Sequence, residues 1–433
     1  MSTSVIEPDS AAKRREQRYA GYVLVLLFLV SVFSYVDRTI ITVLQVHLKR
    51  DLALSDTQLG VLTGASFALL YTIGALPLAR LADRTIRRNL LTVSLFVWSL
   101  MTALSGFAQN FMSLIALRMG VAIGEAGCAP TTHSLIADYF TPRRRATAEA
   151  IWALSIPIGT MLGLAVGGWL AETVGWRHTF MILGVAGIVA SPFVFLTLRE
   201  PRRGQHDGPD SDLTIPDLRT SAAILWNKRT YRYMVFAIGF HTIVYYAFMS
   251  WSAPFYVRLH GMSLGDVAFR LALLTGIGGV IGTFLGGFCA DQFGRRDPRW
   301  YMWTPMVACL LTPPFAIAQF LTGDTELSWL LAIVPSVMVN AYVAPINATT
   351  QSLMQPAMRA LASSITVFSA GLFGMAVGPV LVGALSDMFA ARMGDEGLRY
   401  AITLPMAIDF IAAAFFFISA RHAPREMALN DRG

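Results

Sequence analysis

The chain has 433 residues, of which 55% are hydrophobic and 14% charged, with a mean hydropathy of +0.55 and a formal net charge of +7. So apolar a composition excludes an ordinary soluble globular protein. The positive balance is not a nucleic-acid footprint either, because no basic run is interleaved with base-stacking aromatics on one soluble face.

In chain order, the first 19 residues are polar and basic and lack an apolar core followed by a small-residue cleavage site. No cleaved signal peptide is expected, and the first apolar run is itself a span. Twelve apolar stretches follow, centred near residues 33, 68, 98, 125, 158, 187, 244, 277, 310, 338, 373 and 409. Each reaches the roughly 20 residues that a helix needs to cross a bilayer core. They are continuously apolar rather than alternating, which argues against a transmembrane β-barrel. An all-α membrane protein of twelve transmembrane helices is therefore expected, with the lipid bilayer as its partner and no nucleic acid. Most of the 34 Lys and Arg fall in the tails and the connections that share a side with the N-terminus. That asymmetry predicts both termini in the cytoplasm, and in a bacterium the inner membrane. The three cysteines, Cys128, Cys289 and Cys309, fall within spans and read as small buried hydrophobes.

Four ionisable residues interrupt the apolar runs of the first half. Asp37 and Arg38 lie in the run YAGYVLVLLFLVSVFSYVDRTIITVLQVHL, Arg118 and Glu125 in FMSLIALRMGVAIGEAGCAP. A charge at membrane depth is costly and usually faces a bundle interior or a water-filled cavity that uses it. In span one, Ser31, Ser34, Tyr35, Arg38, Thr42 and Gln45 form a polar stripe. Asp37 sits about 100° round the helix from Arg38, at the stripe's edge, better placed to face a neighbouring helix. Arg118 and Glu125 project from nearly one face, about 10 Å apart along the axis. An arginine stays charged and offers planar, bidentate hydrogen bonds to a carboxylate or phosphate. The functional reading is a proton switch in which an anionic substrate and the acids Asp37 and Glu125 compete for Arg38 and Arg118. The alternative is a static ion-pair network that holds spans one and four together.

A hydrophilic stretch, 199–230, divides the spans six and six, giving an N-terminal bundle over 1–198 and a C-terminal bundle over 231–433. Its first part is charged and rich in Gly and Pro, as a cytoplasmic linker would be, and LRTSAAILWNKRTYR could form a short interfacial helix. The segment LADRTIRR at 81–88 is echoed by CADQFGRR at 289–296, aligning Asp83 with Asp291 and Arg87 with Arg295. Such a parallel duplication is a known transporter architecture. In the second half, His241 and Tyr245 share a stripe in span seven, and Asn340 and Asn347 one in span ten. With Trp152, Phe248 and Trp251 they are expected to line the cavity and shape substrate choice. Asp409 in span twelve has no assigned role. Glycines at three- or four-residue spacing in span five (Gly159, Gly163, Gly167) and span eleven (Gly371, Gly374, Gly378) allow close helix approach. If those two helices meet across the halves, they form a thin, rockable seam.

With these motifs in their order, the chain resembles the major facilitator superfamily over nearly its whole length. The resemblance rests on the 81–88 and 289–296 loops, on RMGVAIGEAG in span four and on GTMLGLAVGG in span five. Within the superfamily it is similar to the Spinster-like transporters, through YVDR at 35–38, RMGVAIGEAGCAPT at 118–131, GWRHTF at 175–180 and RALASSITVFSAGLFGMAVGPVLVG at 359–383. Ala79 and Ile86 stand where the superfamily loop usually has glycines, and the span-five motif lacks its proline. The resemblance implies two pseudo-symmetric six-helix bundles rocking about a central cavity. It implies proton coupling through the residues matching Asp37 and Glu125, linked by the one matching Arg118. It also implies an inner-surface latch from Asp83, Arg84, Arg87, Asp291 and Arg295, with Asp138 and Glu149 as acidic partners.

No G-x-S-x-G elbow, no GxxxxGK[ST] loop and no metal-spaced Cys/His set occurs, and the three lysines (Lys13, Lys49, Lys228) have no phosphate-binding context. An ATP-driven pump or a membrane hydrolase finds no support, and protons are the only cofactor expected. The expected function is a monomeric, proton-coupled secondary transporter of an anionic or amphiphilic solute, lysophospholipid- or sphingoid-like by resemblance. Small organic acids, sugar acids or drugs are the alternative cargo, and a ligand sensor that does not transport is the alternative class.

Overall fold

The computed structural model describes residues 10–204, 218–354 and 358–430, and among the described residues there is no strand. Ten stretches are long and apolar enough to cross a membrane. The last, residues 361–427, is two helices joined by a tight turn at Gly394–Glu396, and Arg87–Ser105 adds one more, giving the expected twelve. Arg87–Ser105 is less apolar because Arg87, Ser94, Ser99, Thr102 and Ser105 are polar yet buried against neighbouring helices.

Several spans are built from pieces. Span one is Ser10–Leu52, and span two runs through Asp56–Gly60, a π-helical Val61–Ala65 and Ser66–Arg84. Span three is Arg87–Ser105. Span four is Phe111–Glu125 and Cys128–Tyr139, span five Pro142–Ala153 and Ser155–Thr173, span six Gly175–Thr197. A helix at Leu218–Asn227 precedes span seven (Arg229–Leu259), span eight (Leu264–Gly294) and span nine (Trp300–Leu321). Span ten is Thr325–Met338 and Val343–Leu353. Span eleven is Arg359–Ser369, a π-helical Ala370–Met375 and Ala376–Met393, and span twelve Gly397–Met406 and Ile408–Asn430. The starts follow local chemistry: Ser55 with Gln58 and Asn110 with Ser113 form capping boxes that satisfy the first free N–H groups. The middle of the expected linker, 205–217, lies outside the described residues.

The two halves repeat one packing scheme. Span one lies on span five and span three on span six, as span seven lies on span eleven and span nine on span twelve. Between the halves, span five meets span eight and span two meets span eleven. Among the described residues, spans five and eleven make no comparable contact with each other. Gly159 and Gly163 admit Tyr35, Val32, Thr39 and Val36 of span one, and Gly374 and Gly378 admit Thr242 and Ile243 of span seven. The small-residue stripes mark close approach, as expected, but within each half; spacing alone does not name the partner helix.

Close approaches to backbone between the halves occur where span two meets span eleven. A Cβ on Gly60 would lie 2.4 Å from the Pro379 carbonyl oxygen, on Gly64 2.3 Å from that of Met375, and on Gly383 2.2 Å from that of Asp56. This seam closes the face opposite the chain termini. The buried Asp56 accepts from Lys49 (2.5 Å), Arg258 (3.0 Å) and Ser386 (2.6 Å). Asp387 accepts from the backbone N–H groups of Asp56 and Thr57 (2.9 and 2.8 Å) and the Thr57 hydroxyl (2.6 Å), and Gln45 donates to the Ser250 carbonyl (2.7 Å). Hydrogen bonds joining described residues of the two halves all lie on this side. The two π-helical segments abut at Gly64 and Met375; such segments recur at functional sites.

Candidate functional site

Span four breaks at Ala126–Gly127, so Glu125 is the last residue of its first helix, deep in the first half. Its Oε1 accepts from Arg38 Nε at 3.0 Å and from the Ser34 hydroxyl, both on span one. Its Oε2 has no partner among the described residues. The Arg38 guanidinium lies 5.1, 4.9 and 4.4 Å from the ring centres of Tyr35, Phe67 and Tyr71. Arg38 therefore has an anion on one side and aromatic faces on the others, an arrangement that fixes a guanidinium without neutralising it. Its side chain is 18% exposed, whereas that of Glu125 is fully buried.

A second pair stands behind the first. Arg118 Nη1 donates to Asp37 Oδ2 at 3.1 Å, and the Thr102 hydroxyl of span three donates to Oδ1 at 2.6 Å. Asp37 thus faces a neighbouring helix, where its place at the stripe's edge puts it. Arg118 is 1% exposed, so in this conformation it is not at the surface between the halves and does not meet a substrate there. The four charges form two pairs, Arg38–Glu125 and Arg118–Asp37, rather than one arginine shared by two acids. Arg118 and Glu125 are seven positions apart on span four, and each finds the span-one charge at its own depth.

In the second half the structure corrects several expected lining residues. His241 is fully buried within its bundle, with Nδ1 2.8 Å from Asp409 Oδ1 and Nε2 3.1 Å from the Val339 carbonyl oxygen. That contact also places Asp409. Phe248 is 1% exposed and packs edge-on against Phe320, and the Trp251 indole donates to the Pro379 carbonyl at 3.0 Å. Neither faces a cavity, because the broad apolar face of span seven packs on spans nine and eleven. Tyr245 is half-buried, its ring 5.1 Å from that of the half-buried Tyr246. Asn340 is half-buried and donates to the Ser336 carbonyl, and Asn347 is exposed. Trp152 packs edge-on against His133, 4.7 Å between ring centres. Sequence reasoning missed Phe67, Tyr71, Tyr246 and Tyr342. Phe67 and Tyr71 share one face of span two at four-residue spacing, one turn on from Gly64, and that pattern was the available signal.

Among the described residues, the repeated loops show ion pairs or hydrogen bonds within their own half. Arg87 is paired with Asp138 and with Glu200 (2.8 Å), and Glu149 with His133 (2.8 Å), all within the first half and its flank. Asp291 accepts from the Tyr301 hydroxyl (2.9 Å), Arg84 is exposed, and the side chain of Asp83 lies outside the described residues. Arg295 makes no ion pair among the described residues. The inter-half hydrogen bonds described above lie instead on the opposite face.

Comparison with known proteins agrees with this architecture. The Major Facilitator Superfamily model matches residues 27–379. An MFS-type efflux pump of Mycolicibacterium smegmatis is 33% identical over 433 residues, 99% of either chain. A probable galactarate/D-glucarate transporter of Escherichia coli is 29% identical over 68% of this chain and 71% of its own. The crystal structure of a bacterial homologue of the human lysosomal transporter Spinster, inward-facing and unoccupied, superposes with a TM-score of 0.87 at 30% identity, covering 94% of this chain and 98% of that one. Family model, relatives and solved structure agree: this chain is a multi-pass membrane protein of the Major Facilitator Superfamily, a Spinster-like transporter and not an enzyme.

Proposed function

We propose that the protein is a proton-coupled secondary transporter, acting as a monomer, that moves an anionic organic solute with an apolar body, lysophospholipid- or sphingoid-phosphate-like, by alternating access. One observation carries the reading: Arg38, the partly exposed member of the Arg38–Glu125 pair, stands among Tyr35, Phe67 and Tyr71, on the span that meets span seven of the other half. An anionic head group that takes the guanidinium displaces Glu125, and a buried carboxylate stripped of its counter-charge is retained only as the neutral acid. Substrate binding at the arginine and proton uptake by Glu125 then go together. The aromatic faces that steady Arg38 also offer apolar surface to the substrate body. Asp37, Thr102 and Arg118 hold spans one, three and four in register behind it and share the field that Glu125 experiences. With both termini in the cytoplasm of the inner membrane, the seam closes the outer side, and the structure is the inward-facing member of the cycle.

A second cargo, a small sugar acid, is favoured by the likeness to the galactarate/glucarate transporter. It needs the same guanidinium but little aromatic surface. A thermal-shift screen of the purified protein across lysophospholipids, sphingoid phosphates, sugar acids and antibiotics separates the two. A ligand at 100 times its Kd adds about 2.7 kcal/mol of stability. The amphiphiles are expected to stabilise the wild type and lose that effect in Arg38→Gln. Equal stabilisation of both proteins would place the head group elsewhere, and binding without counterflow in proteoliposomes would make the protein a sensor.

A further inference from the structure

The second half contains a buried polar cluster that the Arg38–Glu125 reading does not use. His241 of span seven, Cys309 of span nine and Asp409 of span twelve are all fully buried, and their polar atoms lie within 4.8 Å of one another. His241 Nε2 is 3.1 Å from the Val339 carbonyl oxygen, and Val339 stands at the break between the two helices of span ten. That break is the counterpart of the one in span four that places Glu125. A carbonyl only accepts, so Nε2 carries the hydrogen. The other ring nitrogen is 2.8 Å from Asp409 Oδ1. Two lone pairs do not approach that closely, so a proton sits between them, on the ring or on the acid. Asp409 Oδ2 has no partner among the described residues. With its shared proton the His–Asp pair is neutral overall; without it, one negative charge would be left in an apolar bundle.

We infer that His241 and Asp409 form a second proton-binding site, which holds one exchangeable proton in the half opposite the Arg38–Glu125 pair. The groups facing it are Cys309, whose Sγ is 3.4 Å from His241 Nδ1, and Tyr342 of span ten, whose ring centre is 4.9 Å from that of the imidazole. Span eleven presents Ser369 and Gly374 to span seven, neither of them titratable in this range. Tyr342 is half-buried beside the imidazole, at the break of span ten. Movement of span ten at its break would alter the His241–Val339 bond and expose the pair, so the proton would be surrendered in step with the rocking of the halves. That last role rests on the proton-coupled reading; the existence of the site does not.

Infrared spectroscopy and nitrogen-15 histidine NMR of the full chain in lipid nanodiscs, over a pH titration in light and heavy water, test the site without any substrate. The expected result is one shared-proton histidine signal, or one protonated-acid band, that is lost in both Asp409→Asn and His241→Gln and retained in Glu125→Gln. If one of the first two variants does not fold, the other reads the same band. Tyr342→Phe, which keeps the ring, should retain the signal and slow its exchange with solvent. A spectrum unchanged by Asp409→Asn, or a stoichiometric metal ion found on the purified protein, would overturn the assignment. Loss of the signal in Glu125→Gln would instead assign it to the first half.

Discussion

An alanine at Gly383 probes the seam where the structure is least able to adjust. Its Cβ would stand 2.2 Å from the Asp56 carbonyl oxygen, 2.7 Å from the Asp56 carbonyl carbon and 3.0 Å from the Thr57 Cα. All three are backbone atoms at the start of span two, so no side chain can rotate away. Ordinary contact begins near 3.4 Å, so spans two and eleven must part by roughly 1 Å, and such overpacking costs about 1–3 kcal/mol. The parting also stretches the 2.9 and 2.8 Å bonds by which Asp387 caps span two. The cost falls only on the conformation in which this face is sealed, so the equilibrium shifts toward opening it by about 5- to 150-fold. Spin labels at Gln109 and Leu321, both exposed at the sealed face, report the change by electron–electron distance measurement in a variant whose three cysteines have been replaced. Gly371→Ala is the control, because a Cβ there meets nothing within 4 Å. A longer-distance population is expected in Gly383→Ala and absent from the control. If the two variants give the same distribution, the seam does not set the conformational balance, and the reasoning fails.

Arg258→Ala removes a donor that Asp56 shares with Lys49, so it should loosen the same seam by about 2 kcal/mol. Increased thiol labelling of a cysteine placed near Thr63 would record it, and unchanged labelling would contradict it. Asp37→Asn strands the buried Arg118, and breaking a buried pair costs about 3–5 kcal/mol. Its melting temperature should fall further than that of Arg38→Lys, whose position is partly exposed; the reverse order would mean that the two pairs have been assigned the wrong roles. Tyr71→Ala should weaken binding of whatever ligand the thermal-shift screen identifies by about 0.5–2 kcal/mol, the range of one cation–π contact. Titration calorimetry checks this, and unaltered affinity would remove Tyr71 from the site.

Much of the architecture was legible because a membrane imposes it. Apolar length gave the twelve helices, the paired loops gave the half-repeat, and charges at membrane depth pointed to Asp37, Arg38, Arg118 and Glu125. Helical geometry also gave the separation of Asp37 from Arg38. Which arginine meets which acid was not legible, because it depends on the relative depth of spans one and four. His241 and Phe248 were misplaced for a related reason. Span seven is apolar on most of its circumference, and its sequence does not show which face is turned to spans nine, eleven and twelve and which to the cavity. Asp56, Arg258 and Asp387 lie far apart in the sequence, and only folding shows them joined across the halves. The π-helical segments carry no local signature beyond glycine, and the partners of the glycine stripes followed from packing.

The central claim is that substrate and Glu125 exchange for Arg38. Its most direct test is transport by Glu125→Gln in proteoliposomes, with the identified ligand, measured as counterflow and as uphill uptake driven by a pH gradient. Glutamine keeps the shape and an acceptor for Arg38 and Ser34 but carries no exchangeable charge. Counterflow should persist while pH-driven accumulation is lost. Accumulation at the wild-type level would contradict the account and leave the Arg38–Glu125 pair as a static brace between spans one and four.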